Sequence, residues 1–498
     1  MYPILPASLT PAPILPPVWL TARMARPIQV DLSPQPLERY RDLLGPDFDP
    51  IAELADGARG RLEGKVVWNV NSTARGGGVA EMLRAYLPYV LDDGVDTRWA
   101  VLQEDPSFFH LTKRLHNSFH GDPGDGGPLG ESEKRFYVES LADSGRQLAG
   151  MVSPDDVVIL HDPQTAGLVP AIRDRGATVI WRCHIGVDES NEQTVRAQDF
   201  LAAEVGQADA CVFSRPSYVW EALPDGISHI IPPGIDAFTP KNSEMDDATR
   251  DAVLGVIGLS GEKPAEPPAF TRPDGGQGEV LSSGVVVQTN PLPPAVPLVV
   301  QVSRWDKLKD HGGLLTLFSK EMKNREAHLA LVGPDSAGVD DDPEGAAVYE
   351  EVLGQFRALP AEVRERVHLV SLPMEDLDEN AFMVNAIQRR ADVIVQKSLA
   401  EGFGLTVSEG MWKARPMVAS RIGGIKDQIE DGTSGILVDD PRDLPAFAAA
   451  IDSLLEDRER AAAIGDAAKL KVKSGLLSVQ RLALHYQLID HLISPRPS

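Results

Sequence analysis

Residues 392–411, DVIVQKSLAEGFGLTVSEGM, contain a short apolar run, a glycine-rich loop and a helix in direct succession. The run is apolar at consecutive positions, which is typical of a strand buried on both faces of a parallel sheet. The helix begins at about Leu405. This order of strand, loop and helix predicts an α/β unit, and ligands usually bind such units where the strands end.

The same alternation recurs along the rest of the chain. Short β-branched runs alternate with longer helical stretches in both halves. We therefore expect an α/β protein with two doubly wound domains that face each other across a cleft. The predicted strands are 66–70, 97–102, 156–160, 178–182, 210–213 and 229–231 in the first half, and 298–302, 329–332, 367–370, 392–396, 417–420 and 436–438 in the second.

Composition indicates where these units begin and end. Residues 262–297 contain eight prolines and no helical period, which predicts a partly disordered linker or a surface insert. The first 17 residues contain six prolines and no basic start, so we interpret them as a disordered tail rather than a signal peptide. The predicted division is a tail at 1–25, a first domain at 26–240, a linker or insert at 241–297, a second domain at 298–478, and a helix at 479–498 that crosses back to the first domain.

The overall composition excludes several classes of protein. Of 498 residues, 43% are hydrophobic and 24% are charged, as in ordinary globular proteins. The formal net charge of −25 argues against binding to nucleic acid or to an anionic membrane, since both require a basic surface. No apolar run is long enough to span a bilayer. The two cysteines, Cys183 and Cys211, are too few for a disulfide framework or a thiolate zinc site, and they fit a reducing cytoplasm.

A glycine-rich turn lies in the first half. Residues 66–82, VVWNVNSTARGGGVAEM, place Gly76, Gly77 and Gly78 between a strand and a helix. Glycines let the backbone approach a ligand, and the free N–H groups at a helix start attract anions. The turn matches neither G-x-G-x-x-G nor a P-loop. By itself it indicates either a phosphate site or a purely structural turn.

Two cations follow a predicted strand in the second half. In residues 299–313, VVQVSRWDKLKDHGG, Arg304 and Lys309 lie five positions apart. Such a pair can neutralise a diphosphate, because arginine offers a bidentate fork and lysine a point charge. The alternative is a pair of solvated surface cations.

Two carboxylates lie in the stretch quoted first. Glu401 is in the loop and Glu409 is eight positions later on the helix, so both can face one ligand. Carboxylates accept hydrogen bonds from sugar and ribose hydroxyls. The alternative is that acids near a helix start only stabilise its dipole. The backbone N–H groups that suit a phosphate belong to Gly402, Phe403, Gly404 and Leu405.

Two further acidic clusters superficially resemble metal sites. They lie at 47–49 and 340–342, and neither follows a predicted strand beside the other motifs. We interpret both as solvated surface acids and expect no metal.

Together, the glycine turn, the R-x4-K pair and the E-x7-E pair resemble the pattern of glycosyltransferase family four, whose GT-B fold has two Rossmann-like domains. Longer blocks, including LHDPQTAGL, WRCHIGVDES and IPPGIDAFTPKN, look like the trehalose glycosyltransferring synthase group and its close relatives, the retaining trehalose phosphorylases. The resemblance covers roughly residue 66 to the C-terminus. The proline-rich insert, the extreme N-terminus and residues 121–131 lie outside it.

The resemblance implies a retaining glucosyltransferase that makes α,α-trehalose from UDP- or ADP-glucose and glucose. On the family pattern, Arg304 and Lys309 hold the diphosphate and stabilise its growing charge as it leaves. Glu401 binds hydroxyls of the transferred sugar, and Glu409 binds the donor ribose. The sequence offers no second carboxylate placed as a covalent nucleophile, and the resemblance suggests a same-face attack instead.

The resemblance also implies roles in the first, acceptor-side domain. The loop at 76–78 closes over the phosphates. His184 matches the family's histidine near the transferred sugar, while His161 and Asp162 lie on the acceptor side. No cofactor or metal is implied, because the two cations and a helix start take the place of a divalent ion. The expected partners are small sugars and nucleotide sugars, and homodimers are common among such enzymes.

Three functions remain open from the sequence. The first is the synthase. The second is a trehalose phosphorylase, in which free phosphate attacks trehalose, and which shares nearly every residue above. The third is a non-catalytic nucleotide-sugar-binding protein, against which the intact charged positions argue. The sequence does not show whether the donor carries UDP or ADP, or whether the reaction is synthesis or phosphorolysis.

Overall fold

The computed structural model describes residues 27–74, 77–322, 326–335 and 344–494. Within these ranges the strands form two seven-stranded sheets and a two-stranded hairpin. The predicted tail at 1–25, Gly76 and the acidic cluster at 340–342 lie outside the described residues.

The first sheet has the strand order β1-β3-β2-β4-β5-β6-β7. Strand β1 is antiparallel to β3, and the other neighbours are parallel. Strands β2, β4 and β6 are buried at every position, as expected for strands with helices on both faces. The strands are β1 (Ile28–Val30), β2 (Val67–Asn71), β3 (Thr97–Val101), β4 (Val157–His161), β5 (Thr178–Cys183), β6 (Ala210–Phe213) and β7 (Ser228–Ile230). The helices are α1 (Tyr40–Leu44), α2 (Asp49–Arg61), α3 (Gly78–Asp92), α4 (Pro106–Phe119), α5 (Glu131–Met151), α6 (Asp162–Thr165), α7 (Val169–Arg173) and α8 (Glu192–Val205).

The second sheet has the order β10-β13-β12-β11-β14-β15-β16, with β10 antiparallel at its edge. Its strands are β10 (Val285–Val287), β11 (Leu298–Val302), β12 (His328–Pro334), β13 (Val367–Leu372), β14 (Val393–Gln396), β15 (Met417–Ser420) and β16 (Ile436–Val438), and the hairpin is β8 (Ala269–Thr271) with β9 (Gln277–Glu279). The helices are α9 (Asp247–Ile257), α10 (His311–Lys320), α11 (Gly345–Arg357), α12 (Ala361–Arg364), α13 (Leu377–Arg390), α14 (Leu405–Trp412), α15 (Ile425–Gln428), α16 (Leu444–Glu456), α17 (Arg458–Gly475) and α18 (Ser478–Ile493). Short 3-10 turns occur at Leu37–Arg39, Gly45–Phe48, Ala166–Leu168, Pro216–Tyr218 and Lys307–Lys309.

These two sheets confirm the predicted fold of two doubly wound α/β domains. Each predicted strand lies in one of the two large sheets, and its ends differ from the observed ones by at most two residues. The carboxyl ends of the parallel strands therefore provide the edges at which the candidate site residues emerge.

The proline-rich stretch 262–297 corrects one expectation, because it is not a disordered linker. Strand β10 pairs with β13 in the second sheet, and β8 pairs with β9. The carboxylate of Glu379 accepts hydrogen bonds of 2.6 Å from the N–H groups of Leu281 and Ser282. All eight prolines lie outside the three strands, so none of them removes a backbone donor from these strand pairings.

The chain crosses between the domains at two points that contact each other. The N–H of Ile235 donates to the carbonyl of Leu476 at 3.0 Å, and that of Ser478 donates to the carbonyl of Ile235 at 2.8 Å. A Cβ at Gly234 would lie 2.7 Å from the Leu477 backbone, so glycine permits this approach. Beyond the second crossing, α18 packs against α2 and α3 of the first domain.

Among the described residues, no helix has the length and apolar character needed to cross a membrane.

Candidate active site

The second domain brings Lys309 and Glu401 together. Lys309 ends a 3-10 turn after β11, and Glu401 lies in the loop after β14, the neighbouring parallel strand. The Lys309 Nζ donates to Glu401 Oε2 at 2.6 Å, and Ser398 Oγ donates to the same oxygen at 3.2 Å. Both side chains are largely enclosed, with exposed fractions of 16% and 11%. Two residues 92 positions apart thus form one charged centre at the sheet edge.

Arg304 lies beside this centre. Its Nη2 is 3.3 Å from Asp306 Oδ2, and its side chain remains partly exposed. Burial opposes ionisation of Asp306, but the charges of Arg304 and Lys309 lower its pKa to about 2. Arg304 and Lys309 therefore both lie close enough to act on Asp306, and two such cations can neutralise a diphosphate.

Glu409 lies deeper, on α14. Its side chain is 2% exposed, and Oε1 lies 3.4 Å from Nζ of Lys241. Oε2 is buried and has no hydrogen-bond partner among the described residues. Burial raises the pKa of Glu409, while the charge of Lys241 opposes that rise. The free oxygen can accept a hydrogen bond from a ligand hydroxyl.

In the first domain, the buried His161 and the half-buried His184 lie side by side at the ends of β4 and β5. The ring nitrogens His161 Nδ1 and His184 Nε2 are 3.1 Å apart, and His161 Nε2 is 3.2 Å from Asn69 Oδ1. The Tyr86 hydroxyl donates to the same Asn69 oxygen at 3.0 Å. Both ring nitrogens of His161 thus have partners within the protein.

Asp162 positions the backbone of His184. Its Oδ1 accepts a hydrogen bond of 2.7 Å from the N–H of His184. Burial raises the pKa of Asp162 to about 7. Its φ of +63° lies in the left-handed region, which costs a non-glycine residue about 1 kcal/mol or more. Such strain persists only where surrounding contacts impose it, and it often occurs at functional sites.

The two domains meet at the loop that contains Glu401 and Gly402. A Cβ at Gly402 would lie 2.6 Å from the carbonyl oxygen of His184. The Tyr218 hydroxyl donates to the carbonyl oxygen of Gly402 at 2.8 Å and is 3.1 Å from that of Glu401. The predicted residues His184, Glu401 and Gly402 therefore lie in one place.

The glycine loop approaches the start of α14. Gly77 has a φ of +78°, a conformation that favours glycine, and α3 begins at the next residue. A Cβ at Gly78 would lie 3.9 Å from Cδ1 of Leu405. The described part of the predicted loop thus faces the helix that carries Glu409. The backbone of Phe403 and Gly404 is held by Nε2 of Gln428, which donates to both carbonyl oxygens.

Sequence reasoning missed several residues of this region. Arg215 follows β6 and pairs with Asp188 in its own domain and, at 2.5 Å, with Asp427 in the second domain. Asp188 Oδ2 also accepts a hydrogen bond of 2.9 Å from the N–H of Gly423. The position of Arg215 just beyond a strand's carboxyl end was the one available signal.

His120, which caps the end of α4, is another missed residue. Burial and the charge of Lys309 lower its pKa to about 4, and the charge of Glu401 acts in the opposite direction. Its Nδ1 is buried without a partner among the described residues. The end of α4 therefore lies within the field of the Lys309–Glu401 pair. No local sequence pattern distinguishes His120, because its closeness to Lys309 and Glu401 depends on how the two domains pack.

The described residues contain no group of three or more histidine, cysteine, aspartate or glutamate side chains that could hold a metal ion. Of the predicted surface acids, Asp49 forms an ion pair with Arg41 at 2.7 Å.

Comparison with known families covers most of the chain. Residues 69–220 match the family described as trehalose synthase, N-terminal domain, and residues 287–471 match glycosyl transferases group 1. The trehalose synthase from Thermococcus litoralis is 32% identical over 91% of this chain and 96% of its own length. The trehalose synthase from Rubrobacter xylanophilus is also 32% identical, over 92% of this chain and 97% of its own length. A trehalose phosphorylase from Grifola frondosa is 28% identical over 85% of this chain and 56% of its own.

Solved structures share the fold at low sequence identity. The α,α-trehalose 6-phosphate synthase of Burkholderia multivorans has a TM-score of 0.60 at 15% identity, over 87% of this chain and 99% of that one. Anabaena HepE, solved with UDP and glucose, has a TM-score of 0.58 at 13% identity, over 86% of this chain and 100% of that one. Both therefore share the fold described above. Taken with the sequence relatives, these matches show that the chain belongs to the trehalose synthase family of GT-B glycosyltransferases and acts in glycosyl transfer in trehalose metabolism.

Proposed function

We propose that this enzyme transfers glucose from UDP- or ADP-glucose to the anomeric hydroxyl of free glucose, with retention, to form α,α-trehalose. The observation that carries the proposal is the Lys309–Glu401 pair beside Arg304, at the edge where the second sheet meets the first domain. This arrangement offers positive charge for a diphosphate and a carboxylate for a sugar within one enclosed region.

The cations act on the leaving diphosphate. Lys309 uses one of its three donors on Glu401, so two remain for phosphate oxygens. Arg304 adds a planar fork that fits phosphate geometry. As the bond between the glucosyl carbon and the phosphate oxygen breaks, negative charge grows on the diphosphate. Fixed cations stabilise that charge more than they stabilise the intact donor, which lowers the barrier.

Glu401 binds the transferred sugar. Its Oε2 accepts from both Lys309 and Ser398, whereas Oε1 has no hydrogen bond with the described residues. A carboxylate held in this way suits recognition of sugar hydroxyls better than nucleophilic attack. The acceptor hydroxyl then attacks on the face that the diphosphate leaves. Its proton passes to a phosphate oxygen of the leaving group, which accounts for retention without a covalent intermediate.

The first domain positions the sugar and excludes water. Asp162 fixes the backbone of His184, whose carbonyl oxygen faces Gly402. His161 acts through His184, because its own ring nitrogens bond to His184 and Asn69. Contact between the domains at Tyr218 shields the reacting groups, which favours transfer to glucose over hydrolysis.

The relatives support synthesis over phosphorolysis. The chain spans nearly the full length of the trehalose synthases but about half the length of the trehalose phosphorylases. The unpaired Oε2 of Glu409 also favours a nucleotide, since ribose hydroxyls would satisfy it. Phosphorolysis of trehalose is the second candidate. The buried free thiols of Cys183 and Cys211 support the expected location in a reducing cytoplasm.

The decisive experiment is an incubation of the purified protein with glucose and either UDP-glucose or ADP-glucose. The disaccharide is identified by proton NMR, and the released nucleotide by chromatography. A parallel reaction contains trehalose and inorganic phosphate. We expect α,α-trehalose and an equal amount of UDP or ADP in the first reaction, and both to be lost in Glu401→Gln. Release of glucose 1-phosphate in the second reaction, with no transfer in the first, would instead establish the phosphorylase.

A further inference from the structure

Lys241 links carboxylates from both domains. Its Nζ contacts Glu81 of the first domain and lies 3.4 Å from Oε1 of Glu409 in the second. The side chain of Lys241 is 17% exposed, that of Glu81 is 42% exposed and that of Glu409 is 2% exposed. The lysine is therefore a bridge between a deeply buried carboxylate and one at the surface of the cleft.

The backbone around Lys241 is fixed to the second domain. The carbonyl of Asn242 accepts a hydrogen bond of 3.0 Å from Trp412 Nε1, and its side-chain oxygen accepts one of 3.0 Å from Lys413 Nζ. Asn385 Nδ2 donates to the carbonyls of Pro240 and Ser243, each at 2.9 Å. Helices α13 and α14 thus hold both sides of Lys241, so its side chain has a defined direction.

Glu81 lies in the first turn of α3, directly after the glycine loop. Its N–H donates to the carbonyl of Gly77 at 3.3 Å. Movement of the loop and movement of Glu81 are consequently coupled. An ion pair from Glu81 to Lys241 connects the loop to the helix that carries Glu409.

We propose that Lys241 is a positioning residue for donor binding, which holds Glu409 through Oε1 so that Oε2 can accept from the ribose, and which connects this contact through Glu81 to the glycine loop. The inference rests on the proposed role of Glu409 in the preceding section. Lys241 itself need not touch the nucleotide.

The charges around Glu409 support this assignment. Burial raises the pKa of Glu409, and Lys241 is the principal opposing charge, while Glu81 adds to the rise. Lys413 also opposes it, but its Nζ donates to Asn242 Oδ1 and to the backbone carbonyl of Glu409 rather than to the carboxylate. Burial, aided by the charge of Arg389, lowers the pKa of Lys413 to about 7, although the charge of Glu409 acts to raise it. Without Lys241, the carboxylate would take up a proton at a higher pH than in the wild type.

The test is the affinity of the full-length protein for UDP, measured by calorimetry between pH 6 and pH 8.5. In Lys241→Met we expect Kd to rise about tenfold at pH 7. The ratio of variant to wild-type Kd should increase as pH falls, because Glu409 becomes protonated in the variant. Titration of the UDP phosphate cancels in this ratio. Lys241→Arg, which keeps the charge, should restore much of the affinity and flatten the profile.

Lys469→Met is the matched control. Lys469 pairs at 3.0 Å with Glu244, three residues from Lys241, but on the surface. The Lys469→Met variant should bind UDP as tightly as the wild type does. Circular dichroism and thermal unfolding verify the fold of each variant, and Lys241→Gln replaces Lys241→Met if the latter does not fold. Wild-type affinity with a constant Kd ratio in Lys241→Met would overturn the proposal.

Glu409→Gln separates this proposal from the one on which it rests. If Glu409→Gln binds UDP normally, Glu409 has no ribose role and the proposed function of that residue is wrong. If Glu409→Gln loses affinity while Lys241→Met does not, only the role of Lys241 is wrong. A double-mutant cycle of Glu81→Gln with Lys241→Met tests the connection to the glycine loop. We expect coupling greater than twofold in Kd, and strictly additive effects would refute the connection.

Discussion

The hydroxyl of Tyr218 in the first domain donates a 2.8 Å hydrogen bond to the carbonyl oxygen of Gly402 in the second. The two residues are 184 positions apart, and Gly402 directly follows Glu401. The backbone of the loop that carries Glu401, the residue proposed to bind the sugar, is therefore held from the opposite domain. Under the proposed function, this contact sets the distance between His184 and Glu401, so substitutions here should affect turnover.

The Gly402→Ala substitution tests this contact. The added methyl would lie 2.6 Å from the carbonyl oxygen of His184, a distance at which something must move. We expect kcat to fall at least tenfold, because His184 and the loop that carries Glu401 must separate. Gly354→Ala is the control, since its methyl would meet no atom within 4 Å. Normal kcat in Gly402→Ala would show that the domain contact does not control turnover.

Removing either member of the charged centre should strongly reduce turnover with little effect on stability. Arg304→Ala and Glu401→Gln each remove a group proposed to act on the diphosphate or the sugar. Loss of such a group typically costs about 3 kcal/mol of transition-state stabilisation, or roughly 100-fold in kcat. Steady-state kinetics and thermal unfolding provide the two measurements. Arg421→Ala, which removes surface pairs with Asp431 and Asp439, serves as the control. Near-normal kcat in both site variants would contradict the assignment.

The proline-rich segment should contribute to stability. Phe270 is 5% exposed and stacks on Phe382 with ring centroids 5.1 Å apart. Truncation of a buried phenylalanine typically costs about 3–5 kcal/mol, so Phe270→Ala should lower the free energy of unfolding by an amount in this range. Urea denaturation measures the change. Leu281→Ala, in the same segment but 68% exposed, should change stability by less than about 0.5 kcal/mol. An equal, small effect of both substitutions would show that the hairpin does not pack on the domain.

His368 should make stability depend on pH. Burial and the charge of His328 lower its pKa to about 3, against an ordinary value of 6.5. Below pH 6.5 the unfolded chain therefore binds a proton at this residue that the folded chain does not, and folding loses stability as pH falls. The loss is about 1.4 kcal/mol per pH unit. His368→Gln lacks this proton uptake, so the wild type should lose about 1–2 kcal/mol relative to the variant between pH 7 and pH 5. Urea denaturation at both pH values measures it, and a constant difference would contradict the low pKa.

The fold and the second-domain motifs could be predicted because they are local. Strands β2, β11 and β14 could be recognised from their own residues alone, because a strand that is buried on both faces needs apolar side chains along most of its length. Arg304 and Lys309 follow one such strand, and Glu401 follows its neighbour. Adjacent parallel strands bring their carboxyl ends to one edge, so the meeting of Lys309 with Glu401 follows from topology alone.

Tertiary structure decided what depends on contacts between distant segments. Strand β10 (Val285–Val287) has only three residues and lies in a segment rich in prolines and glycines, so the sequence did not predict it. It forms because it can pair with the backbone groups of β13 at the edge of the second sheet. The positions of Tyr218 against Gly402 and of Lys241 between Glu81 and Glu409 arise when two separately recognisable domains pack. The local sequence pattern predicts which side chains of a strand or helix are buried. It does not predict which residue of the other domain a side chain contacts, because that depends on how the two domain surfaces fit together.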